Sequence, residues 1–431
     1  MTTPRRVFDR SMALLGRARR VVPGASQTLS KGPEMFVEGA YPVFLERGRG
    51  CRVWDVDGNE YVDYILGLAA ITLGYDYPAV SEAVARQLEQ GSIFSLPHPL
   101  EVEVAERLVE VIPCAEMVRF LKSGSEANAA AVRVARAATA RDVVLCCGYH
   151  GWHDWTIAQS PGHRGVPKTL TELVFPFTYN DLGSLEAALD EHRGRVAAVI
   201  MEPVLLDEPS LGFLAAVKAA AQRHGALLIF DEIVSGFRWA VGGAQEYFGV
   251  VPDLATFGKG MANGLPLAAV VGRTELMREF EDVFISSTFG GDALALAACR
   301  ATLDEYAKKS VIEHLWRIGR RFQKGFRAVA ARVGVPARCV GYPVHPKIVI
   351  EHEREETQRL LMSLFLQETG RRGVIFHFAG FNVSFSHTDG DVDRSLEACE
   401  EALRIVAEAL ADGRITERLE GKPYQEAFRR A

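Results

Sequence analysis

No stretch of this chain approaches the roughly twenty uninterrupted apolar residues of a membrane-spanning helix. Its beginning carries no apolar run of signal-peptide type, so the cytoplasm is the expected location. Disulfide frameworks and zinc fingers are excluded as well. The seven cysteines (Cys51, Cys114, Cys146, Cys147, Cys299, Cys339 and Cys399) are odd in number, scattered, and free of any Cys-x-x-Cys spacing. They read as reduced core thiols, and no metal site is expected. A basic face is missing too: 49 Lys and Arg stand against 55 Asp and Glu, a net charge of −6 spread along the chain. Nucleic acid and anionic membrane are therefore not expected partners. The local exceptions, Arg5-Arg6 and the group Arg17, Arg19, Arg20, read as one face of an amphipathic surface helix.

Repeats, low-complexity tracts and long polar linkers are also absent. At 431 residues, 48% of them hydrophobic, the chain must form contiguous, well-packed domains with one large core and a smaller one. Residues 1–60 open with a helical stretch through Arg20, broken at Pro23-Gly24. A hairpin signal follows, with alternating apolar residues on either side of Asp57-Gly58 in Arg52-Val-Trp54-Asp-Val-Asp-Gly-Asn-Glu-Tyr-Val-Asp63. Residues 61–295 alternate short apolar runs (117–121, 143–147, 196–201, 226–230 and 267–271) with alanine-rich helical stretches (126–139, 183–193 and 211–224). That alternation predicts a mainly parallel sheet between two layers of helices, with ligands bound at the carboxyl ends of its strands. Residues 296–431 carry long helical patterns (293–307, 312–332, 355–370 and 391–411) around a few short strands, a smaller α+β domain.

What is present is a lysine in a glycine-flanked loop, Ala255-Thr-Phe-Gly-Lys259-Gly-Met-Ala-Asn-Gly. It follows by twenty-eight residues Asp231, which ends the apolar run Ala226-Leu-Leu-Ile-Phe230. A carboxylate and an amine so arranged suit pyridoxal phosphate: the acid keeps the pyridine nitrogen protonated and the amine forms a Schiff base with the aldehyde. Strand-ending acids and loop lysines also occur as plain structural or solvated residues, so the other parts of a cofactor site matter. Lys122-Ser-Gly124-Ser125-Glu-Ala-Asn128 opens a helix; Gly124 allows a tight turn, and Ser125 is either a phosphate ligand at the helix amino terminus or an ordinary cap. Tyr149, in Gly148-Tyr-His-Gly-Trp-His153, either stacks on a pyridine ring or packs under its loop. Ile233 either presses on the opposite ring face or belongs to the core. Ser286-Ser-Thr288-Phe-Gly-Gly-Asp292 repeats the anion-binding or capping pattern before another helix.

With these residues in view, the chain resembles the class III aminotransferases of PLP fold type I, and within them the branch around glutamate-1-semialdehyde aminomutase. The resemblance runs through Val22-Pro-Gly24 to Lys31, Val53 to Asp63, Ser123-Gly-Ser-Glu-Ala-Asn128, Tyr149-His-Gly151, Glu202-Pro-Val204, Asp231-Glu-Ile-Val-Ser-Gly-Phe-Arg238, Gly258-Lys-Gly-Met-Ala-Asn-Gly264 and Thr288. It implies a large domain with a seven-stranded, mainly parallel sheet, and a small domain built from the N- and C-terminal segments. It further implies that pyridoxal 5'-phosphate is held by Lys259 as a Schiff base, and that Lys259 then moves a proton between the substrate carbon and the cofactor. Asp231 would pair with the ring nitrogen, Gly124 and Ser125 would hold the phosphate, and Tyr149 and Ile233 would cover the ring faces. Glu202 counts among the cofactor-binding residues, and Thr288 would reach the neighbouring subunit's phosphate site in a homodimer.

The chain also departs from that branch. Thr28 and Lys31 stand where the aminomutase has a serine and an arginine for its substrate carboxylate; lysine is a point charge, whereas arginine offers a two-pronged fork. After Glu202-Pro203 the chain reads Val-Leu-Leu-Asp207-Glu208, acids that either disfavour a dicarboxylate substrate or lie on a surface loop. Trp152, in Gly151-Trp-His-Asp-Trp155, replaces small residues and offers a face for a sugar ring. Thr28, Lys31, Trp54, Trp152 and Asp207 are accordingly the substrate candidates. The expected reaction is a biosynthetic transamination from an amino acid, glutamate or glutamine, to an aldehyde or ketone such as an oxidised sugar or aminoglycoside-type intermediate. A 2,1-aminomutase is the first alternative, and a PLP-dependent epimerase or decarboxylase the second.

Overall fold

The structure, a computed structural model, describes residues 6–425, so Arg5 and the extreme ends of the expected first and last domains lie outside it. Strands β1 (Leu45–Arg49), β2 (Arg52–Asp55) and β3 (Glu60–Asp63) form an antiparallel meander. Its second turn falls at Asp57-Gly58, where Gly58 takes φ +89° and its N–H donates to the Asp55 carbonyl at 3.0 Å. That left-handed backbone is why glycine follows the aspartate.

The next seven strands build the large sheet: β4 (Met117–Leu121), β5 (Val143–Cys147), β6 (Val174–Pro176), β7 (Val196–Met201), β8 (Leu227–Asp231), β9 (Leu254–Phe257) and β10 (Ala268–Gly272). Their order is β4-β10-β9-β8-β7-β5-β6, and β10 runs antiparallel to both neighbours while the β9-β8-β7-β5-β6 pairings are parallel. Every residue of β5 and β7 is buried, because helices cover both faces; their sequences are therefore continuous apolar runs rather than alternating ones. The helix Gly124–Thr139 sets Ala127, Ala131 and Val134 against Val144, Ile200, Ile229 and Val270. Small alanines bring that helix close to the sheet. A leucine in place of the fully buried Ala131 would overpack the layer at a cost of about 1–3 kcal/mol.

Beyond the large sheet, β11 (Ala337–Tyr342) and β12 (His345–Ile350) pair as a hairpin, and β13 (Val374–Ile375) lies parallel to β3 at the edge of the first meander. Tyr64, Phe322, Phe376 and Phe381 form the aromatic centre of this region, with Tyr64 stacked on Phe376 at 4.9 Å and Phe322 edge-on to Phe381 at 5.0 Å. N- and C-terminal segments thus share one core.

Packing divides the chain into one unit that runs up to Tyr77 and resumes at Glu313, and a second unit, Pro78–Ile312. The expected divisions fell after residues 60 and 295. Residues 61–77 stay with the meander because β3 pairs with β13 and because Gly50 and Tyr75 exchange backbone hydrogen bonds of 2.8 and 2.7 Å. The helix Ala293–Lys308 stays with the large sheet's unit because it packs on the helices Pro78–Gln90 and Pro99–Val111, with Arg107–Asp304 and Arg300–Glu103 ion pairs of 2.9 and 2.7 Å across the latter. Among the described residues no helix is long and apolar enough to cross a membrane.

Candidate active site

The carboxyl end of β8 places Asp231 at the centre of a buried polar network. Its Oδ2 accepts from Asn128 Nδ2 at 2.7 Å and lies 2.8 Å from His150 Nδ1, while its Oδ1 accepts the backbone N–H of Ile233 at 3.1 Å. Asn128 Oδ1 in turn accepts the Thr256 hydroxyl at 2.6 Å. Asp231, Asn128, His150 and Thr256 are all at most 4% exposed. Burial of this many polar groups is tolerable because they satisfy one another. The one orphan is His150 Nε2, which is buried without a hydrogen-bond partner among the described residues.

Lys259 follows β9 and Gly258, and takes φ +42° at the start of a short 3-10 turn, Lys259–Ala262. A left-handed backbone costs a lysine about 1 kcal/mol or more, strain of the kind found at functional sites. Burial pushes the Lys259 amine below its ordinary value of 10.5, opposed by the nearby charges of Glu202 and Asp231. Glu202, just past the end of β7, is pushed up to about 7 by burial and by Asp231, opposed by His150, by the Tyr149 N–H and by Lys259. An amine depleted of its proton is a nucleophile; one fully charged is not. Glu202 Oε1 also accepts the Tyr149 N–H at 2.8 Å, which fixes the loop after β5. Gly148 is needed there: it takes φ +107°, and a Cβ on it would stand 2.7 Å from Glu202 Oε1.

Three more glycines close a cradle around these groups. A Cβ added to Gly124, or to Gly258, would meet Ile233 Cδ1 at 3.1 Å, so the helix-opening loop and the lysine loop both close on the side chain that follows Asp231 by two residues. A Cβ on Gly151, at φ +101°, would lie 2.2 Å from Ser125 Oγ. The cap of this helix is Ser123, whose side chain accepts from Glu126 N at 3.2 Å while Glu126 Oε2 accepts from Ser123 N at 3.1 Å. Ser125 is therefore not the capping serine, and its hydroxyl sits in the first turn, where the helix amino terminus favours an anion. The same holds for Thr288: Asp292 caps the following helix by accepting from Leu294 N at 3.1 Å, and Lys122 Nζ holds Asp292 Oδ2 at 3.0 Å, leaving Thr288 exposed on the loop before it.

At the rim, Tyr149 is 60% and Trp152 69% exposed, the latter edge-on to His153 at 4.9 Å. Asp207 is exposed on the segment after β7. Thr28, Lys31 and Trp54 belong to the other unit. Thr28 and Lys31 are exposed there, whereas the Trp54 ring is covered by the Arg47 guanidinium at 4.0 Å. That cation–π contact already uses one Trp54 face.

Glu232, one residue past Asp231, is structural: its carboxylate accepts from Ser235 Oγ, from Ala244 N at 2.7 Å and from Gln245 N at 2.8 Å, stapling the loop that follows β8. Asn128, His150 and Thr256 stand inside the sequence motifs, yet the motifs alone assign them no role. One signal does point to Asn128: it lies four residues after Gly124 and so on the same helix face. Thr256 is hidden in the sequence because Leu-Ala-Thr-Phe is too short and too mixed to announce a strand.

A sequence model described as Aminotransferase class-III matches residues 36–403. The chain is 37% identical over 411 residues to a 3-aminobutyryl-CoA aminotransferase of Cloacimonas acidaminovorans, covering 93% of this chain and 98% of that protein. It is 34% identical over 431 residues to a glutamate-1-semialdehyde 2,1-aminomutase of Syntrophobacter fumaroxidans, covering 94% and 99%. The FumI protein of Sphingopyxis sp. MTA144, solved in its PLP internal aldimine form, superposes with a TM-score of 0.88 at 28% identity, covering 96% of this chain and 99% of that one. The fold is PLP fold type I, and the protein is a pyridoxal phosphate enzyme. It belongs to the class III aminotransferases. The cradle fits that cofactor on its own terms: glycines at which a Cβ would crowd Ile233, Glu202 or Ser125, the buried Asp231 carboxylate, and the Lys259 amine whose desolvation lowers its proton affinity.

Proposed function

We propose that this enzyme takes an amino group from an amino acid donor, glutamate or glutamine, and passes it to the carbonyl carbon of an aldehyde or ketone. The observation that carries the reading is the convergence of Gly124, Gly258 and Ile233 beside Asp231 and Lys259, which collects the ends of three strands at one point. Pyridoxal phosphate, when bound, supplies an aldehyde that takes up amines and a ring that accepts electrons from the substrate carbon. In this reading Gly124 and Ser125 bind its phosphate, Tyr149 and Ile233 cover the ring, and Asp231 holds the ring nitrogen. Glu202 keeps Tyr149 in place through its backbone. Lys259 Nζ is the amine that would hold the aldehyde, with loss of water, and, once displaced by the donor's amine, the base that would carry a proton from one carbon to another. Thr288 of a partner subunit completes the phosphate site in a homodimer. The enzyme works in the cytoplasm, where its seven unpaired cysteines remain reduced.

Trp152 supports an acceptor with a ring face to lay against it, of the oxidised-sugar or secondary-metabolite kind. The likeness to the 3-aminobutyryl-CoA aminotransferase supports an acceptor whose carbonyl is remote from a free carboxylate. A second reading, internal amine exchange of the aminomutase type, is supported by the likeness to the aminomutase and opposed by Lys31 in place of a forked arginine. The test is a donor panel without acceptor, followed by absorbance. A donor that converts the bound aldehyde to its amine form supports transamination; no conversion with any donor, together with isomerisation of an amino aldehyde, supports the second reading. Colourless protein that cannot take up pyridoxal phosphate contradicts both.

A further inference from the structure

We propose that Asn128, locked by Thr256, is the positioning residue that decides which oxygen of Asp231 is left to face the cofactor's ring nitrogen. This rests on the reading that Asp231 binds that nitrogen. Each carboxylate oxygen has about two acceptor directions. Oδ2 has two neighbours to fill them, Asn128 Nδ2 at 2.7 Å and His150 Nδ1 at 2.8 Å. Oδ1 has one, the Ile233 N–H at 3.1 Å. The spare acceptor capacity is therefore on Oδ1.

The arrangement depends on the Asn128 amide pointing its nitrogen at Asp231, since the oxygen would repel the carboxylate. An amide alone can flip. Thr256 and the backbone of His150 oppose the flip: the Thr256 hydroxyl donates to Asn128 Oδ1 at 2.6 Å, and the His150 carbonyl, which can only accept, takes a hydrogen bond from Asn128 Nδ2 at 3.3 Å, so the nitrogen faces Asp231. The sheet register puts Thr256 there: it is the β9 partner of Asp231 on β8, and its carbonyl accepts the Glu232 N–H at 2.9 Å. A slip of one residue would present Ala255 or Phe257, neither of which has a side-chain donor. On the helix side, Asn128 is four residues beyond Gly124, so successive turns of one helix serve the phosphate end and the nitrogen end of the same cofactor. His150 alone does not give this control, because either of its ring nitrogens can carry the proton.

The experiment compares Asn128→Leu, Thr256→Val and Thr256→Ser with the wild type and with Asp231→Ala. Leucine and valine keep the side-chain shape, so folding is retained, and serine keeps the hydroxyl. Two quantities are read: the dissociation constant for pyridoxal phosphate, and the nitrogen-15 chemical shift of ring-labelled cofactor in the holoenzyme, which separates a protonated from a neutral nitrogen. The pH is held constant, because His150, Glu202, Lys259 and Tyr149 all face Asp231 electrostatically. Asn128→Leu is expected to weaken cofactor binding about tenfold, and Thr256→Val by a factor of about three. Both should move the nitrogen signal towards its neutral value, with Thr256→Ser close to wild type. An unchanged signal in Asn128→Leu and Thr256→Val, with loss in Asp231→Ala, overturns the proposal alone. So does a Thr256→Ser variant as impaired as Thr256→Val. An unchanged signal in Asp231→Ala overturns the site reading beneath it.

Discussion

At the buried end of the site, Asp231 is 4% exposed and every group around it answers to another: Asn128 to Thr256, His150 to Asp231, Glu202 to the Tyr149 N–H. At the rim, Tyr149, Trp152, Asp207 and Thr288 are exposed to solvent. The buried end is over-determined, since moving any one side chain leaves a polar atom unpaired, at a cost of about 1–3 kcal/mol. Of the rim residues, Trp152 and Asp207 can change without such a penalty. A scaffold built in this way holds one kind of chemistry constant while the substrate is free to vary, which is how an aminotransferase and an aminomutase can both resemble this chain over nearly its whole length.

The sharpest way to break the contrast is at the buried end. Lys259→Ala should lower turnover by about 10⁴-fold or more, measured as steady-state rate with saturating cofactor; turnover near wild type would move the reaction elsewhere. Asp231→Ala should lower it by roughly 10²- to 10⁴-fold, and by the same factor in the donor and acceptor half-reactions, since both need the same ring. At the rim the pattern should split. Trp152→Ala is expected to raise KM for the acceptor about tenfold while the donor half-reaction and cofactor affinity stay as they were; equal damage to both half-reactions would place Trp152 with the buried group.

The smallest effect concerns pH. Burial holds the Lys259 amine below its ordinary value, and the Glu202 charge pulls it partly back up. Removing that charge in Glu202→Gln lowers it further, so apoprotein should capture pyridoxal phosphate at lower pH. Glu202 itself is pushed up to about 7, so the difference should appear only above that pH, where the wild-type side chain is charged. A shift towards higher pH would reverse the assigned sign.

Much of this is legible in the sequence, and the parts that are not have a physical reason. Asp231 can be read because it ends a fully apolar run, and Lys259 because glycines flank it. The hairpin at Asp57-Gly58 and the long C-terminal helices are readable from local turn chemistry and periodicity alone. Strands β6 and β9 are not, since Val-Phe-Pro and Leu-Ala-Thr-Phe carry too few residues for a pattern. Asn128 and Thr256 are 128 residues apart, and only the pairing of β8 with β9 beneath the helix Gly124–Thr139 joins them. The capping roles of Ser123 and Asp292 are ambiguous in the sequence for a related reason: several hydroxyls and acids sit near each helix start, and backbone geometry selects one. The division at Tyr77 depends on hydrogen bonds to Gly50, which no composition shift announces.

The central claim is that one amine, just past the end of β9 and lowered in proton affinity by burial, is where the cofactor attaches. Reducing the holoenzyme with borohydride, digesting it and mapping the modified peptide by mass spectrometry tests this directly. The account predicts a single pyridoxyl adduct on Lys259 and none in Lys259→Ala; an adduct on another lysine, or an undiminished yield in Lys259→Ala, would contradict it.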